Sequence, residues 1–444
     1  DGIGGKKRRC AGTAPPFLLF LPLMNLEYFI ARRVATAGQQ SFSRLIIRIA
    51  VAAVALSVAV MIIATALIAG FKKEISSKIF GFWGHIHITE TSINRTLLLD
   101  SSPVSSDQPF YPHLDTIGPI SYTLQQEILG QTVNRQMQTE GGVRHIQVYA
   151  LKPGIIKAKE EIEGIILKGV GRDFDWSFMD QYLMEGARLD LLEEELSSGI
   201  LISQQTADRL RVGVDDRFIV HFVQEGEQLK RRFTVQGIYK TGLEEYDQKF
   251  ALVDIRQIQR LLNWSADQVS GFGVFIDDLD DLVPLAEYLD FEVLPNDLYA
   301  ETIREKLPEI FEWLDLQDIN EVVILVLMVI VAVINMITAL MILILERTNM
   351  IGTLKALGDT NWSIRKIFLY YAAYIIVVGL FWGNLIGIGL CVLQDTFEFI
   401  RLDEENYYLS VAPIELNWWS ILLLNLGTLL ITLFFLLIPS YLVT

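Results

Sequence analysis

Val322–Leu345 reads VVILVLMVIVAVINMITALMILIL, Glu346–Lys366 reads ERTNMIGTLKALGDTNWSIRK, and Ile367–Leu393 reads IFLYYAAYIIVVGLFWGNLIGIGLCVL. Roughly 20 apolar residues, at about 1.5 Å rise each, cover the ~30 Å hydrocarbon core of a bilayer, so the first and third segments both qualify as membrane spans. The segment between them carries Arg347, Lys355, Arg365 and Lys366, which places it on the cytoplasmic side. Within it Met350, Ile351, Leu354 and Leu357 fall at i, i+1, i+4 and i+7, and Gly358 follows as a helix stop. A short amphipathic helix held between two spans suits docking into another protein's groove.

Outward from this stretch, Ile49 to Phe71 is uncharged throughout and reads as a first span. Arg44 and Arg48 before it put the N-terminus inside, although Lys72 and Lys73 follow at the far end. Leu416 to Val443 reads as a fourth span opened by an interfacial pair, Trp418 and Trp419. The fold class expected is therefore an α+β membrane protein. It has four transmembrane helices and a large mixed α/β extracytoplasmic domain between helices 1 and 2. The expected divisions are 24–44 as a cytoplasmic amphipathic helix, 45–71 as span one, and 72–320 as the domain. Then come 321–345 as span two, 346–366 as the connector, 367–394 as span three, 395–416 as a short outer loop, and 417–444 as span four. Leu26, Phe29, Ile30 and Val34 make the apolar stripe of the first of these segments. Residues 1–23 imitate a signal peptide, Lys6-Lys7-Arg8-Arg9 before an apolar run, but Pro15, Pro16 and Pro22 interrupt that run. Met24 is the expected start, with 1–23 a non-native or disordered extension.

The net charge of −16 is unevenly placed: residues 72–320 hold 24 basic and 42 acidic side chains. An acidic domain with no basic patch excludes nucleic acid as a partner. The chain has 2 cysteines, Cys10 and Cys391, the second inside a span, so no disulfide staples the domain. Gly84–Thr89 alternates as a strand whose His85 and His87 share a face; a metal reading lacks further ligands nearby, and two surface histidines are expected. Strands are expected near Val143–Ala150, Gly199–Ile202, Ala251–Val253 and Phe272–Ile276. Helices are expected over Ser203–Leu210, with Ser203 as N-cap, over Asp254–Leu262 and over Leu282–Leu289. Arg217–Val223 and Arg232–Gly237 form a hairpin around Glu225-Gly226-Glu227.

No phosphate loop, Gly-x-Ser-x-Gly or His-Glu-x-x-His occurs, and Gly169-Val170-Gly171 lacks a lysine. Glu193-Glu194-Glu195 and Asp277-Asp278 read as solvated surface. No catalytic, cofactor-binding or metal-ligating residue is therefore expected, and no cofactor; any ATP hydrolysis belongs to a partner chain. In span three, Gly379, Gly383 and Gly387 line one helix face and permit close helix packing. Asn335 and Asn384 should face protein rather than lipid.

Glu346-Arg347 followed by Met350-Ile351-Gly352-Thr353-Leu354-Lys355-Ala356-Leu357-Gly358 resembles the E-R-x-x-x-I-G-x-L-K/R-A-L-G signature of FtsX-like permeases, the family holding the MacB, FtsX and LolC/LolE branches of ABC transporters. Ile200-Leu201-Ile202-Ser203, Val212-Gly213-Val214-Asp215-Asp216, Leu243-Glu244-Glu245-Tyr246-Asp247 and Gly70-Phe71-Lys72-Lys73-Glu74-Ile75 are similar to the LolC/LolE branch. The resemblance implies that Glu346, Arg347, Met350, Ile351, Gly352, Leu354, Lys355, Leu357 and Gly358 meet a separate ABC ATPase homodimer. It further implies a second permease protomer, identical or homologous, lipoprotein cargo, a periplasmic lipoprotein carrier, and the bacterial inner membrane with the N-terminus cytoplasmic and 72–320 periplasmic. One departure is the short loop at Val223–Arg232, where the LolC type carries a long hook that recruits the carrier; this leans toward a LolE-like or undivided role. Alternatives are an FtsX-like regulator of a cell-wall hydrolase, and a four-span sensor or scaffold with no ATPase.

Overall fold

A computed structural model describes residues 27, 41–90, 102–128, 131–158, 161–191, 196–224, 227–403 and 407–441. The expected 1–23 extension, the apolar stripe of 24–40 and Glu193-Glu194-Glu195 lie outside these residues. The chain divides into two compact units: residues 1–66, 320–393 and 416–444 form one, and residues 67–319 and 394–415 the other.

Among the described residues, four helices are long and apolar enough to cross a membrane. They are α1 (Ser41–Trp83), α2 (Pro308–Glu346), α4 (Asn361–Phe397) and α5 (Trp418–Ser440), with the short α3 (Thr348–Ala356) between α2 and α4. Two of them run well beyond the expected apolar segments. Residues 72–83 continue α1 and 308–320 begin α2, because their charged side chains have adequate helix propensity, their apolar ones join the core of the second unit, and hydropathy marks only the uncharged run. In the first unit, Asn384 and Asn425 join α4 to α5 side by side. Asn384 Nδ2 donates to Asn425 Oδ1 at 2.6 Å and Asn425 Nδ2 to Asn384 Oδ1 at 2.9 Å. Each amide also donates to the carbonyl one turn back on its own helix, at 2.7 and 2.8 Å. All four N–H donors are thereby satisfied where water is absent, the only tolerable state for an amide at that depth. Asn335 is half-buried.

The second unit is built on a mixed ten-stranded sheet. In chain order its elements are β1 (Ile86–Glu90), β2 (Val104–Ser105), β3 (Ser121–Ile128), β4 (Gln131–Gln138), β5 (Val143–Ala158), β6 (Glu161–Val170) and β7 (Leu183–Gly186). They continue with β8 (Gly199–Ser203), β9 (Arg217–Gln224), β10 (Glu227–Tyr239), β11 (Phe250–Asp254), β12 (Gln268–Val269), β13 (Gly271–Ile276) and β14 (Leu298–Thr302). β2 with β12 and β3 with β4 form separate two-stranded pairs. The order in the large sheet is β14-β1-β13-β5-β6-β11-β8-β10-β7, and β9 bridges from β10 back to β5. β5, β6, β11, β8, β10 and β9 therefore close a ring.

The ring depends on the length of β5. One edge of β5 pairs with β6 from Tyr149 to Ala158. The other serves β13 over its first half and β9 at Ile155 and Ile156. Gly154 stands where β9 crosses: a Cβ there would lie 2.7 Å from Phe222 Cε1 and 2.8 Å from Val220 Cγ1, so a side chain would push β9 away. Alternate residues supply two cores. Ile200, Ile202, Ala251 and Val253 join one cluster, and Leu201, Phe250 and Leu252 the other. Because both faces are covered, these strands read as continuous apolar runs. The second cluster is completed by Phe71, Ile75, Ile79 and Trp83 of α1 and by Phe311 and Leu314 of α2. Burying each such side chain contributes about 1.5–3 kcal/mol.

The expected elements recur with small shifts. Ser203 Oγ accepts from Thr206 N at 3.1 Å and caps the helix Gln204–Leu210. The Asp254 side chain accepts from Arg256 N and caps Ile255–Leu262. β9 and β10 form the expected hairpin, closing at the pair Gln224↔Glu227. One expectation fails. His85 and His87 are not at the surface but 8% and 0% exposed, because the face they share is covered by α1 and by the segment entering α2. His85 stacks on Phe80 at 4.7 Å between ring centroids, and its Nδ1 accepts from Ile276 N at 3.2 Å. Asp277 is exposed and Asp278 half-buried, as expected of surface carboxylates, and each also accepts a backbone bond, from Gly142 N at 3.1 Å and Asp280 N at 2.8 Å.

Candidate functional site

The connector between α2 and α4 is a helix stopped at both ends by its own sequence. Arg347, at φ −103° and ψ 18°, breaks α2 from α3, and Thr348 Oγ1 donates back to Leu345 O at 3.2 Å. At the far end Gly358 has φ +91°. Gly358 N donates to Lys355 O and Asp359 N to Leu354 O, both at 3.0 Å. This is the paired-bond stop that needs a left-handed residue, which glycine supplies without a Cβ penalty. Thr360 Oγ1 then accepts from Ser363 N at 3.2 Å and starts α4.

The apolar stripe of α3 does not face one way. Ile351 is 8% exposed and Met350 and Leu354 are half-buried, whereas Leu357 is 79% exposed. Gly352, Thr353, Lys355 and Ala356 are exposed, and no atom lies within 4 Å of a Cβ built on Gly352 or Gly358. The outward surface is therefore small and smooth, with Leu357 as its one large apolar projection. Glu346 is exposed and Arg347 half-buried. The basic residues at the start of α4 are held by neighbours. Arg365 lies 4.0 Å over the Tyr441 ring, and Lys366 lies 5.9 Å from the Trp362 ring centroid and 3.7 Å from the Glu27 carboxylate. Ser363 Oγ donates to the same carboxylate at 3.0 Å.

In the same unit the three glycines of α4 face α1. A Cβ on Gly379 would lie 2.7 Å from Val54 Cγ1, and one on Gly383 2.7 Å from Val58 Cβ and 2.9 Å from Ala55 O. On Gly387 it would lie 3.1 Å from Ala59 Cα. Gly389 and Gly427 meet nothing within 4 Å. Sequence reading had no way to name α1 as the partner of this face, and it passed over Asn425, although a lone amide in an apolar run is as visible there as at Asn384.

The second unit hides a group of charges under its aromatic core. Lys168 is 1% exposed, donates to Phe82 O, and sits 4.5, 4.8 and 6.0 Å from the rings of Phe82, Trp83 and Phe174. Lys306 Nζ donates to His87 Nδ1 at 2.9 Å, and the Tyr149 hydroxyl lies 3.3 Å from the same nitrogen. Burial, with a smaller push from Lys306, lowers Lys168 from 10.5 to about 7. Burial lowers Lys306 to about 8 against the pull of Glu301, and holds His87 well below its ordinary range. An unfolded lysine keeps its proton up to 10.5, so between pH 7 and 10.5 the unfolded state binds more protons. The contribution of Lys168 is then least favourable below pH 7 and improves as pH rises through that window. Lys168→Met is expected to stabilise the protein at pH 7 by on the order of 2 kcal/mol, the three rings already offsetting part of the burial cost. The gap in thermal midpoint between variant and wild type should shrink as pH rises from 7 to about 10; a gap independent of pH would contradict this account. Among the described residues no group of three His, Cys, Asp or Glu stands close enough to hold a metal.

Residues 322–444 match the FtsX-like permease C-terminal family, and residues 49–290 match the MacB-like periplasmic core domain, which is over half of the chain. The chain belongs to the FtsX-like permeases that carry a MacB-like periplasmic core domain. Such permeases are the membrane subunits of ABC transporters, and the four apolar helices make this one a multi-pass membrane protein. The lipoprotein-releasing system transmembrane protein LolE of Haemophilus influenzae is 23% identical over 94% of this chain and 96% of its own length. The corresponding LolC proteins of Xylella fastidiosa (strain Temecula1) and Buchnera aphidicola are 22% and 24% identical, over 95% and 92% of this chain and 97% and 95% of theirs. Among solved structures, the extracellular domain of the noncanonic ABC-type transporter YknZ from Gram-positive bacteria aligns at 13% identity over 42% of this chain and 99% of its own, with a TM-score of 0.26, a likeness that carries no argument.

Proposed function

We propose that this FtsX-like permease is a membrane subunit of an ABC transporter that extracts lipoproteins from the bacterial inner membrane, driven by a separate ATPase homodimer docked on α3. The observation that carries the reading is α3 itself: a helix stopped at both ends between two spans, presenting Leu357 at 79% exposure beside small residues. The full-length likeness to LolE and LolC supplies the cargo class.

Orientation follows from the same parts. If the core domain is periplasmic, as its family description has it, a connector one span away lies in the cytoplasm, where Arg347, Lys355, Arg365 and Lys366 belong by the positive-inside rule. Closure of the ATPase dimer on ATP would displace α3. Because α3 is stopped by backbone hydrogen bonds rather than by a floppy loop, α2 and α4 would move with it. The work requires a second state with different contacts, and only a difference in ATPase affinity for the two states can shift their balance. No group of this chain performs bond chemistry in the cycle. A second permease protomer, identical or homologous, completes the pathway. The β9–β10 hairpin, closing at Gln224↔Glu227, offers no long hook for a periplasmic carrier, which favours a LolE-like or undivided role.

The test is a detergent pull-down of the tagged chain with mass spectrometry, with and without an ATP analogue. Recovery of an ATPase together with acylated lipoproteins is expected. An ATPase recovered with a cell-wall hydrolase and no lipoprotein would replace this function with a regulatory one, and recovery of neither would leave a scaffold.

A further inference from the structure

In the first unit α4 and α5 are tied together at two levels and stand apart between them. At one level Asn384 and Asn425 exchange amide hydrogen bonds at 2.6 and 2.9 Å. At the other Arg365 lies 4.0 Å over the ring of Tyr441, the residue that closes α5. Between the two ties a groove of about 820 Å³ opens, with Leu369, Tyr370 and Ala373 of α4 on one side and Leu430, Leu433 and Leu437 of α5 on the other. Its lining runs over 366–373 on α4 and 430–437 on α5. At about 1.5 Å per residue each stretch is about 10 Å long, which fits within the ~15 Å of a single leaflet.

The polar groups follow one another in a definite order along this groove. Among the described residues, Lys366 is the one charged side chain in its wall. It stands at the Arg365 end, its Nζ 5.9 Å from the ring centroid of Trp362, which is 55% exposed. A lysine and an exposed tryptophan at the end of an apolar run mark the headgroup level of a bilayer. The next charge lies further out. The Glu27 carboxylate is 3.7 Å from Lys366 Nζ and accepts from Ser363 Oγ at 3.0 Å, and Ser363 is one helical turn nearer the start of α4 than Lys366. From the groove toward the start of α4 the order is therefore apolar wall, cation, anion.

We infer that this groove holds one diacyl glycerophospholipid with a primary-amine headgroup, its acyl chains along 369–373 and 430–437, its phosphate at Lys366 and its ammonium at Glu27. In such a lipid the phosphate joins the chains to the headgroup and the ammonium stands outermost. Its three parts thus meet apolar, cationic and anionic surroundings in the order the protein presents them. A volume of about 820 Å³ is in the range of ligand pockets, and an apolar wall of this size takes acyl chain rather than a headgroup alone. The Lys366–Glu27 pair, at 3.7 Å, is longer than a direct hydrogen bond, and the lipid replaces it with two charge-assisted ones. A lipid so bound would join Glu27 to the α4–α5 pair at the membrane surface. The site depends on neither cargo nor ATPase, so failure of the pull-down above would leave it standing.

The purified, delipidated full-length chain is to be offered equimolar phosphatidylethanolamine, phosphatidylcholine and phosphatidylglycerol with the same acyl chains in detergent, and bound lipid read by native mass spectrometry. Phosphatidylcholine keeps the phosphate but its quaternary nitrogen has no N–H donor, and phosphatidylglycerol has no ammonium. Retention of the ethanolamine lipid over each by about tenfold is expected, the worth of one charge-assisted hydrogen bond. Glu27→Gln should erase the preference and keep the total lipid retained. Lys366→Met should lower retention of all three lipids by about tenfold, since each loses the cation at its phosphate. Both side chains are partly exposed, so both variants should keep their melting temperature. Ala373→Trp, which fills the groove, should remove bound lipid altogether. Equal retention of the three lipids would overturn the proposal, as would a preference for the glycerol lipid or one for the ethanolamine lipid that survives Glu27→Gln. A second copy of the chain seated in the groove would show as a dimer that Ala373→Trp splits with lipid retention unchanged, and that result would overturn it as well.

Discussion

Leu357→Asp is expected to abolish ATP-driven transport and stimulation of the partner ATPase while leaving the thermal stability of the chain unchanged. At 79% exposure Leu357 gives up almost no packing within its own chain, so the stability cost should stay within about 0.5 kcal/mol. Inside a partner's apolar groove the same carboxylate loses its hydration with no cation to replace it, at a cost of several kcal/mol. Each ~1.4 kcal/mol is a factor of ten in affinity, so docking should weaken by about 100-fold or more. Ile351→Asp is not an equivalent test: Ile351 is 8% exposed, and a buried carboxylate there would disrupt the connector whether or not α3 docks anything. Gly358→Asp tests the stop instead, since φ +91° is costly for any residue with a Cβ. The measurement is nucleotide hydrolysis by the reconstituted complex beside a melting curve of the isolated chain. If Leu357→Asp hydrolysed and transported at wild-type rates, the outward face of α3 would not be the docking surface.

The second large effect lies in the packing of α1 on α4. Gly383→Leu should prevent accumulation of a folded, monodisperse protein. Its Cβ would stand 2.7 Å from Val58 Cβ and 2.9 Å from the carbonyl oxygen of Ala55, and a backbone carbonyl has no rotamer by which to give way. Overpacking of a well-filled site costs about 1–3 kcal/mol where side chains can move and more where helices must separate. Gly389→Leu and Gly427→Leu are the internal controls, since a Cβ at either position meets nothing within 4 Å. Both should be obtained in wild-type yield with an unchanged size-exclusion profile. Equal behaviour of Gly383→Leu and Gly389→Leu would remove the argument that contact with α1, rather than helix propensity, accounts for the glycines.

What the sequence determined by itself is what depends on near neighbours along the chain. The membrane-crossing helices are legible because lipid demands an uninterrupted apolar run, and α3 because two spans and Gly358 bracket it. The Ser203 cap is legible because capping acts over two or three residues, and the β9–β10 hairpin because its arms are almost adjacent in sequence. Membership among FtsX-like permeases likewise rests on a contiguous motif, Glu346 to Gly358.

Only the tertiary structure decided which sides these elements turn toward one another. A nine-residue helix and its C-cap, with four stripe positions between them, do not disclose that Ile351 packs inward while Leu357 projects, because a short helix has too few turns for its period to separate two faces. Nor does the alternation of β1 disclose that the face of His85 and His87 is covered; that follows from α1 and the start of α2 packing on the same side of the sheet. The closure of β5 through β9, the cage around Lys168 and the partner of the Gly379–Gly387 face join residues tens to hundreds of positions apart. Such contacts form only once the intervening chain has folded, and no local preference of the residues that make them specifies the partner.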